Sequence, residues 1–220
     1  MIKNRTVQLM YQTAFCTLGL VAIVASLGTF NYEFSPQFYV HFTNLSNYLC
    51  IGIVFVELIE TVKKKKDSYV TKLPVLKFVG LLAIMLTFFI FNFLLAGTRD
   101  MYLNFRINSV LLHIVLPIMY LGDWILFYEH NKLKWTYPLL STLFPIAYAI
   151  FIFIRAWIVG FNPEVPFLYP YFFLDLDTLG VLGVLKWILI LACVFIVVGY
   201  LVFGLDKLLA SKYKKEIKKK

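Results

Sequence analysis

Apolar residues in this chain come in long unbroken blocks, not in the one-sided stripes of a soluble helix. Six blocks cover residues 7–30, 39–62, 73–96, 107–127, 137–159 and 185–205. About 20 apolar residues of helix cross the roughly 30 Å of hydrocarbon in a bilayer. Every block reaches that length, so the pattern predicts an all-α fold, a polytopic six-helix transmembrane bundle. Residues 1–220 then form a single integral membrane domain, with 206–220 as a basic tail.

Charge adds orientation. Most of the 21 Lys and Arg residues gather at alternate ends of the blocks. They are Lys3 and Arg5, then Lys63, Lys64, Lys65, Lys66 and Lys72, then Lys132 and Lys134, then the lysines from Lys207 to Lys220. The opposite loops keep only Arg99 and Arg106. Positive loops stay in the cytoplasm, so both termini are expected there. The net charge of +9 therefore reads as a topology signal that also attracts anionic headgroups, and not as a nucleic-acid surface.

Composition agrees with lipid as the solvent. Hydrophobic residues make up 61% and charged residues 15%, against roughly 25% charged in a soluble domain. Cys16, Cys50 and Cys193 fall inside expected helices, where a thiol packs as a small apolar group. The basic start and first apolar block lack a small-residue cleavage site, so the first helix is expected to be retained. Rich Lys, Ile, Phe, Tyr and Asn usage fits an AT-rich bacterial genome, and so a bacterial plasma membrane.

Between the blocks, Ser35-Pro36 is a start signal for the second helix, and Gly97-Thr98-Arg99-Asp100 turns the chain after the third. The link 160–183 holds Pro163, Pro166 and Pro170 among Phe167, Tyr169, Tyr171, Phe172 and Phe173. Prolines bar a regular helix there, and so many aromatics do not suit a loop in water. Either a cap on the outer face or an interfacial aromatic belt would explain it. Glu57, Glu60 and Asp123 lie toward cytoplasmic ends, where lysines or headgroups should meet them. Lys77 and Lys186 are near enough to an interface to snorkel. Trp124, Trp135, Trp157 and Trp187 sit near span ends as belt residues.

Polar side chains inside the spans are functional candidates, because hydrocarbon penalises them unless they face the bundle interior. Thr43, Ser46, Asn47 and Cys50 follow i, i+3, i+4, i+7 spacing on one face, with Asn44 beside them. Ser109 and His113 are one turn apart on the fourth helix, Asn92 is near the end of the third, and Arg155 near the end of the fifth. With helix starts at Pro36 and Phe105, Thr43 and His113 lie about 10–12 Å deep at about 1.5 Å per residue. Asn92 and Arg155 lie about 7 Å deep on the same count. Four helices thus bring polar groups to one level, in a shared outward pocket.

A hydroxyl becomes a nucleophile when a base within hydrogen-bond reach takes its proton. Neutral imidazole suits that role, so Thr43 and His113 form a nucleophile–base pair, with Asn44 or Asn47 donating to an oxyanion. Arg155 would grip a substrate carboxylate or pair with Asp175 or Asp177. The plain alternative is interhelical glue, since His, Thr and Asn often bond neighbouring helices in membranes.

In Phe42-Thr43-Asn44-Leu45-Ser46-Asn47, His113-Ile114-Val115-Leu116-Pro117 with Gly122-Asp123-Trp124, and Tyr169-Pro170-Tyr171-Phe172-Phe173-Leu174-Asp175 with Arg155 upstream, the chain resembles a known family. It is the androgen-induced protein / androgen-dependent TFPI-regulating protein family of multispanning membrane proteins, in its bacterial branch. Characterised animal members are threonine hydrolases that cleave fatty-acid esters of hydroxy fatty acids. The resemblance implies a Thr43 nucleophile, a His113 base and a lipid or acyl-ester substrate. No Gly-x-Ser-x-Gly element is present, which excludes an α/β-hydrolase.

Two other functions fit the same residues. A small-molecule or lipid carrier would use the pocket without breaking a bond, although no internal repeat supports it. Axial ligation of a haem by His41 and His113 is the other. The preferred hydrolase needs no metal and no other cofactor.

Overall fold

The computed structural model describes all residues except 1, 30–33, 35–37, 65–66, 68–71, 96–105, 161–167 and 219–220; side chains 95 and 213–218 are likewise left aside. Six helices are long and apolar enough to cross a membrane. They are α1 (Arg5–Ser26), α2 (Phe42–Lys63), α3 (Pro74–Phe89, continued by a π-helical turn Ile90–Leu95), α4 (Ile107–Phe127), α5 (Tyr137–Val159) and α6 (Leu176–Lys218). No strand occurs among the described residues. The all-α, multi-pass architecture is that expected from the apolar blocks.

Two compact units make up the chain, one of residues 1–134 with 204–220, the other of residues 135–203. In the first unit α1 packs on α2, α2 on α3, α3 on α4 and α4 back on α1, a closed four-helix arrangement. Small residues allow close approach: a Cβ on Gly80 would stand 2.8 Å from the Tyr120 hydroxyl, and one on Gly122 2.5 Å from that of Tyr11. Arg5 closes the lysine-rich end by donating to the carbonyls of Thr61 and Val62 at 3.0 and 2.8 Å. Glu60 meets Lys63 and Lys72 at 3.5 and 3.6 Å, as expected for a carboxylate at that end.

The end of α6 belongs to this unit as well. Asp206, fully buried, accepts from the backbone N–H of Asn131 at 2.9 Å and faces His130 Nδ1 at 2.9 Å. Lys207 donates to Asn131 Oδ1 at 2.7 Å. The expected tail at 206–220 therefore begins on an anchored residue.

Two helix starts differ from expectation. α2 begins at Phe42, not near Pro36, because the Asn44 amide donates to the Phe38 carbonyl at 2.7 Å and holds 38–40 as a turn. Pro36 and the turn at 97–100 lie outside the described residues. α6 begins at Leu176, not 185, because Asp175 caps it: Oδ1 accepts from the N–H groups of Asp177 and Thr178, and Oδ2 from the Thr178 hydroxyl. Gly180, at φ 64°, breaks the helix one turn later, a conformation that costs glycine little.

In the second unit the aromatic segment packs inward. The rings of Tyr171 and Phe173 stack at 5.1 Å; Tyr148 of α5 and Trp187 of α6 lie beside them at 6.3 Å each. Much of the remaining α6 surface is apolar and open to lipid, with Leu182 83% exposed.

Candidate functional site

Polar residues of the first unit collect at two levels on the same three helix faces. Asn47 of α2, Thr87 of α3 and His113 of α4 mark one level. Glu57, Lys77 and Asp123 mark the other, ten residues along each helix, or about 15 Å at about 1.5 Å per residue.

The first level is neutral and stitched to backbone. The Asn47 amide nitrogen donates to the carbonyls of Thr43 and Leu112, at 2.8 and 3.0 Å, and so ties α2 to α4. The Ser46 and Thr87 hydroxyls bond at 2.8 Å, joining α2 to α3. Asn92 donates to Phe88 O at 2.7 Å and reaches His113 O at 3.4 Å. These bonds, and not counted depth, place Asn47, Asn92 and His113 together.

His113 sits in a π-helical turn, Leu111–Val115, which loosens the backbone where its ring must fit. Its Nδ1 faces the Ser109 carbonyl at 2.9 Å, with the Ser109 hydroxyl at 3.3 Å. A carbonyl only accepts, so Nδ1 carries a hydrogen, and a neutral ring would have its lone pair at Nε2. Phe91 stacks on the ring at 3.6 Å.

Thr43 lies in the first turn of α2, one residue from its start, not seven residues deep as the earlier helix start implied. The N–H groups of Asn44 and Leu45 there donate to the His41 carbonyl at 3.0 and 3.2 Å, and the helix dipole is positive at this end. Among the described bonds none joins the Thr43 hydroxyl to the His113 ring. The expected oxyanion role also shifts. Both Asn47 N–H groups are already engaged with carbonyls, which makes Asn47 a positioning residue here. Asn44 spends one N–H on Phe38.

Arg155 and Asp175, in the second unit, do not pair. Buried Arg155 donates from Nη1 to the Leu168 carbonyl at 3.0 Å, whereas Asp175 caps α6. Hydrogen bonds from Thr178, backbone then hydroxyl, hold the Asp175 carboxyl below the usual carboxylate range.

The second level overturns three expectations. Lys77 does not snorkel, and Glu57 and Asp123 turn inward to Lys77 as their hydrogen-bond partner. All three are buried, and Lys77 Nζ donates to Glu57 Oε2 at 2.5 Å and to Asp123 Oδ2. The Tyr120 ring lies 4.7 Å from Nζ, and its hydroxyl donates to Lys77 O at 3.2 Å. Inside a bundle an ammonium finds carboxylates nearer than water, and that decides its direction. Trp124 is likewise fully buried, against Tyr128 and His130, and is no belt residue.

The sequence held a signal for this centre. The Asn47–Cys50 stripe continues at helical spacing through Val54 to Glu57 and Thr61, and the His113 stripe through Leu116 and Tyr120 to Asp123.

No group of three or more His, Cys, Asp or Glu suited to a metal occurs among the described residues. No family model, curated protein or solved structure matches this chain.

Proposed function

We propose that the chain is an intramembrane lipid-ester hydrolase acting on fatty-acid esters of hydroxy fatty acids, as the family resemblance implies. One observation carries the reading: the Ser109 carbonyl holds the His113 ring in the tautomer whose Nε2 can take a proton. In the proposed reaction an acyl chain enters from the lipid and its ester carbonyl comes to Thr43. The Thr43 oxygen attacks that carbon while its proton passes to His113 Nε2. The oxyanion forms at the positive end of α2. Collapse breaks the ester bond, the departing alcohol takes the proton from His113, and water repeats the sequence to release the acid. Binding of the substrate brings hydroxyl and imidazole into reach, as catalytic hydrogen bonds often tighten only in the complex. In this reading the lysine-rich ends lie in the cytoplasm of a bacterial cell, and the site opens toward the outer leaflet.

A carrier without catalysis is the second reading, and the buried charged centre is the observation on its side. Purified protein treated with a fluorophosphonate probe, digested and mapped by mass, separates the two. Label on Thr43 that is lost in Thr43→Ala and in His113→Ala supports the hydrolase. A folded wild type that takes no label overturns it.

A further inference from the structure

The centre formed by Glu57, Lys77 and Asp123 has an uneven charge. One ammonium stands between two carboxylates, and none of the three groups is more than 2% exposed. Taken as ionised, they leave one negative charge inside a membrane bundle, where an uncompensated ion costs several kcal/mol. The hydrogen bonding is uneven too. Lys77 satisfies one oxygen of each carboxylate, while Glu57 Oε1 and Asp123 Oδ1 are buried with no hydrogen-bond partner among the described residues. One missing positive charge and two acceptors lacking a donor describe the same deficit.

A polar file leads to the centre from the lysine-rich end. On the buried stripe of α1, Gln8 Oε1 accepts from Lys64 Nζ at 3.2 Å, while Gln8 Nε2 finds no partner among the described residues. One turn on, Gln12 is fully buried and neither of its amide atoms is bonded there. The next residue of the stripe, Phe15, meets the Tyr120 ring at 5.9 Å, and Tyr120 covers Lys77. Buried amide atoms without a partner among the described residues, as at Gln8 Nε2 and Gln12, are of the kind that ordered water binds. The other titratable groups around the centre are Tyr11 and Cys16 of α1, Cys50 of α2, and Tyr120 of α4, with Lys64 at the mouth.

We propose that Glu57, Lys77 and Asp123 form an exchangeable proton site, which takes one proton from water along Gln8 and Gln12. A hydronium ion gives its proton to Glu57 Oε1 or Asp123 Oδ1 and leaves as water, and one O–H bond forms. The loaded centre is neutral overall, and the oxygen that takes the proton is no longer an acceptor lacking a donor. A proton suits the site better than a metal ion, because two carboxylate oxygens and one amide are too few hard ligands for a closed cation shell. The inference is independent of the hydrolase reading, being built from different residues.

Infrared spectroscopy of the full chain in neutral-lipid vesicles tests it through the carbonyl stretch of a protonated carboxyl group. Wild type should show a band equivalent to one group per chain near neutral pH, shifting in D2O because the proton exchanges. Glu57→Gln and Asp123→Asn should each abolish the whole band, since one carboxylate alone balances Lys77. Absence of the band from wild type at every pH between about 5 and 8 overturns the proposal. So does a band that survives in either variant, or one that sodium displaces at constant pH. Should a variant fail to fold, the wild-type band, its exchange and its indifference to sodium still decide.

Discussion

The two levels of the four-helix unit use the same faces of α2, α3 and α4 in opposite ways. Around His113, neutral amides, hydroxyls and an imidazole are matched mostly to backbone carbonyls. Around Lys77, charges are matched to charges, and two carboxylate oxygens are left over. Neutral groups in hydrocarbon can be satisfied one bond at a time by whatever carbonyl is near. Charged groups depend on one another, because removing the single ammonium strands both carboxylates. The first level can therefore be altered piecemeal. The second hinges on Lys77, which bonds both carboxylates.

That contrast can be broken most forcefully at Lys77. Lys77→Met strands two buried carboxylates and should cost about 3–5 kcal/mol, read as thermal unfolding in detergent. Adding Glu57→Gln and Asp123→Asn to the same chain should restore most of the loss. A triple variant no more stable than Lys77→Met would mean that the charges are not coupled. Next in size is Gly80→Ala, whose Cβ would meet the Tyr120 hydroxyl at 2.8 Å in a packed interior. Overpacking of this kind costs about 1–3 kcal/mol, and Tyr120→Phe should recover part of it in a double variant.

Asn47→Leu sharpens the other side of the comparison. It leaves the Leu112 carbonyl without its cross-helix donor and should cost about 1–2 kcal/mol, while slowing probe labelling of Thr43 without abolishing it. A complete loss of label in a folded Asn47→Leu protein would make Asn47 part of the reaction itself.

The smallest effect is expected outside both levels, at Asp175. Asp175→Ala should cost about 1 kcal/mol through loss of the cap on α6. Bonding lowers the folded carboxyl relative to its unfolded value, so this stabilisation is present above about pH 4 and lost as pH falls through the lowered folded value. Melting wild type and variant in parallel down to acid pH should show the gap closing.

The neutral level was largely legible because its residues break a local rule. Thr43, Asn47 and His113 are conspicuous in apolar blocks, and their spacing assigns them to single faces. Their partners were less legible. That Asn47 spends both donors on carbonyls, or that Asn44 folds back and moves the helix start to Phe42, depends on chain segments meeting in space. The charged level was misread because Glu57, Lys77 and Asp123 stand near block ends, where a long side chain can ordinarily reach water. Arg155 and Asp175 are plausible partners in sequence, yet each bonds locally, to a nearby carbonyl and to a helix N-terminus.

By itself the sequence determined six membrane-crossing helices, because length and unbroken hydrophobicity are sufficient conditions for a helix in hydrocarbon. It also determined which residues could not face lipid. Only the tertiary structure decided what those residues face instead. A buried charge such as Lys77 finds its partners on other helices, whereas an amide such as Asn47 divides its bonds between its own helix and a neighbour. Helix register and rotation settle that choice through contacts between residues far apart in the chain.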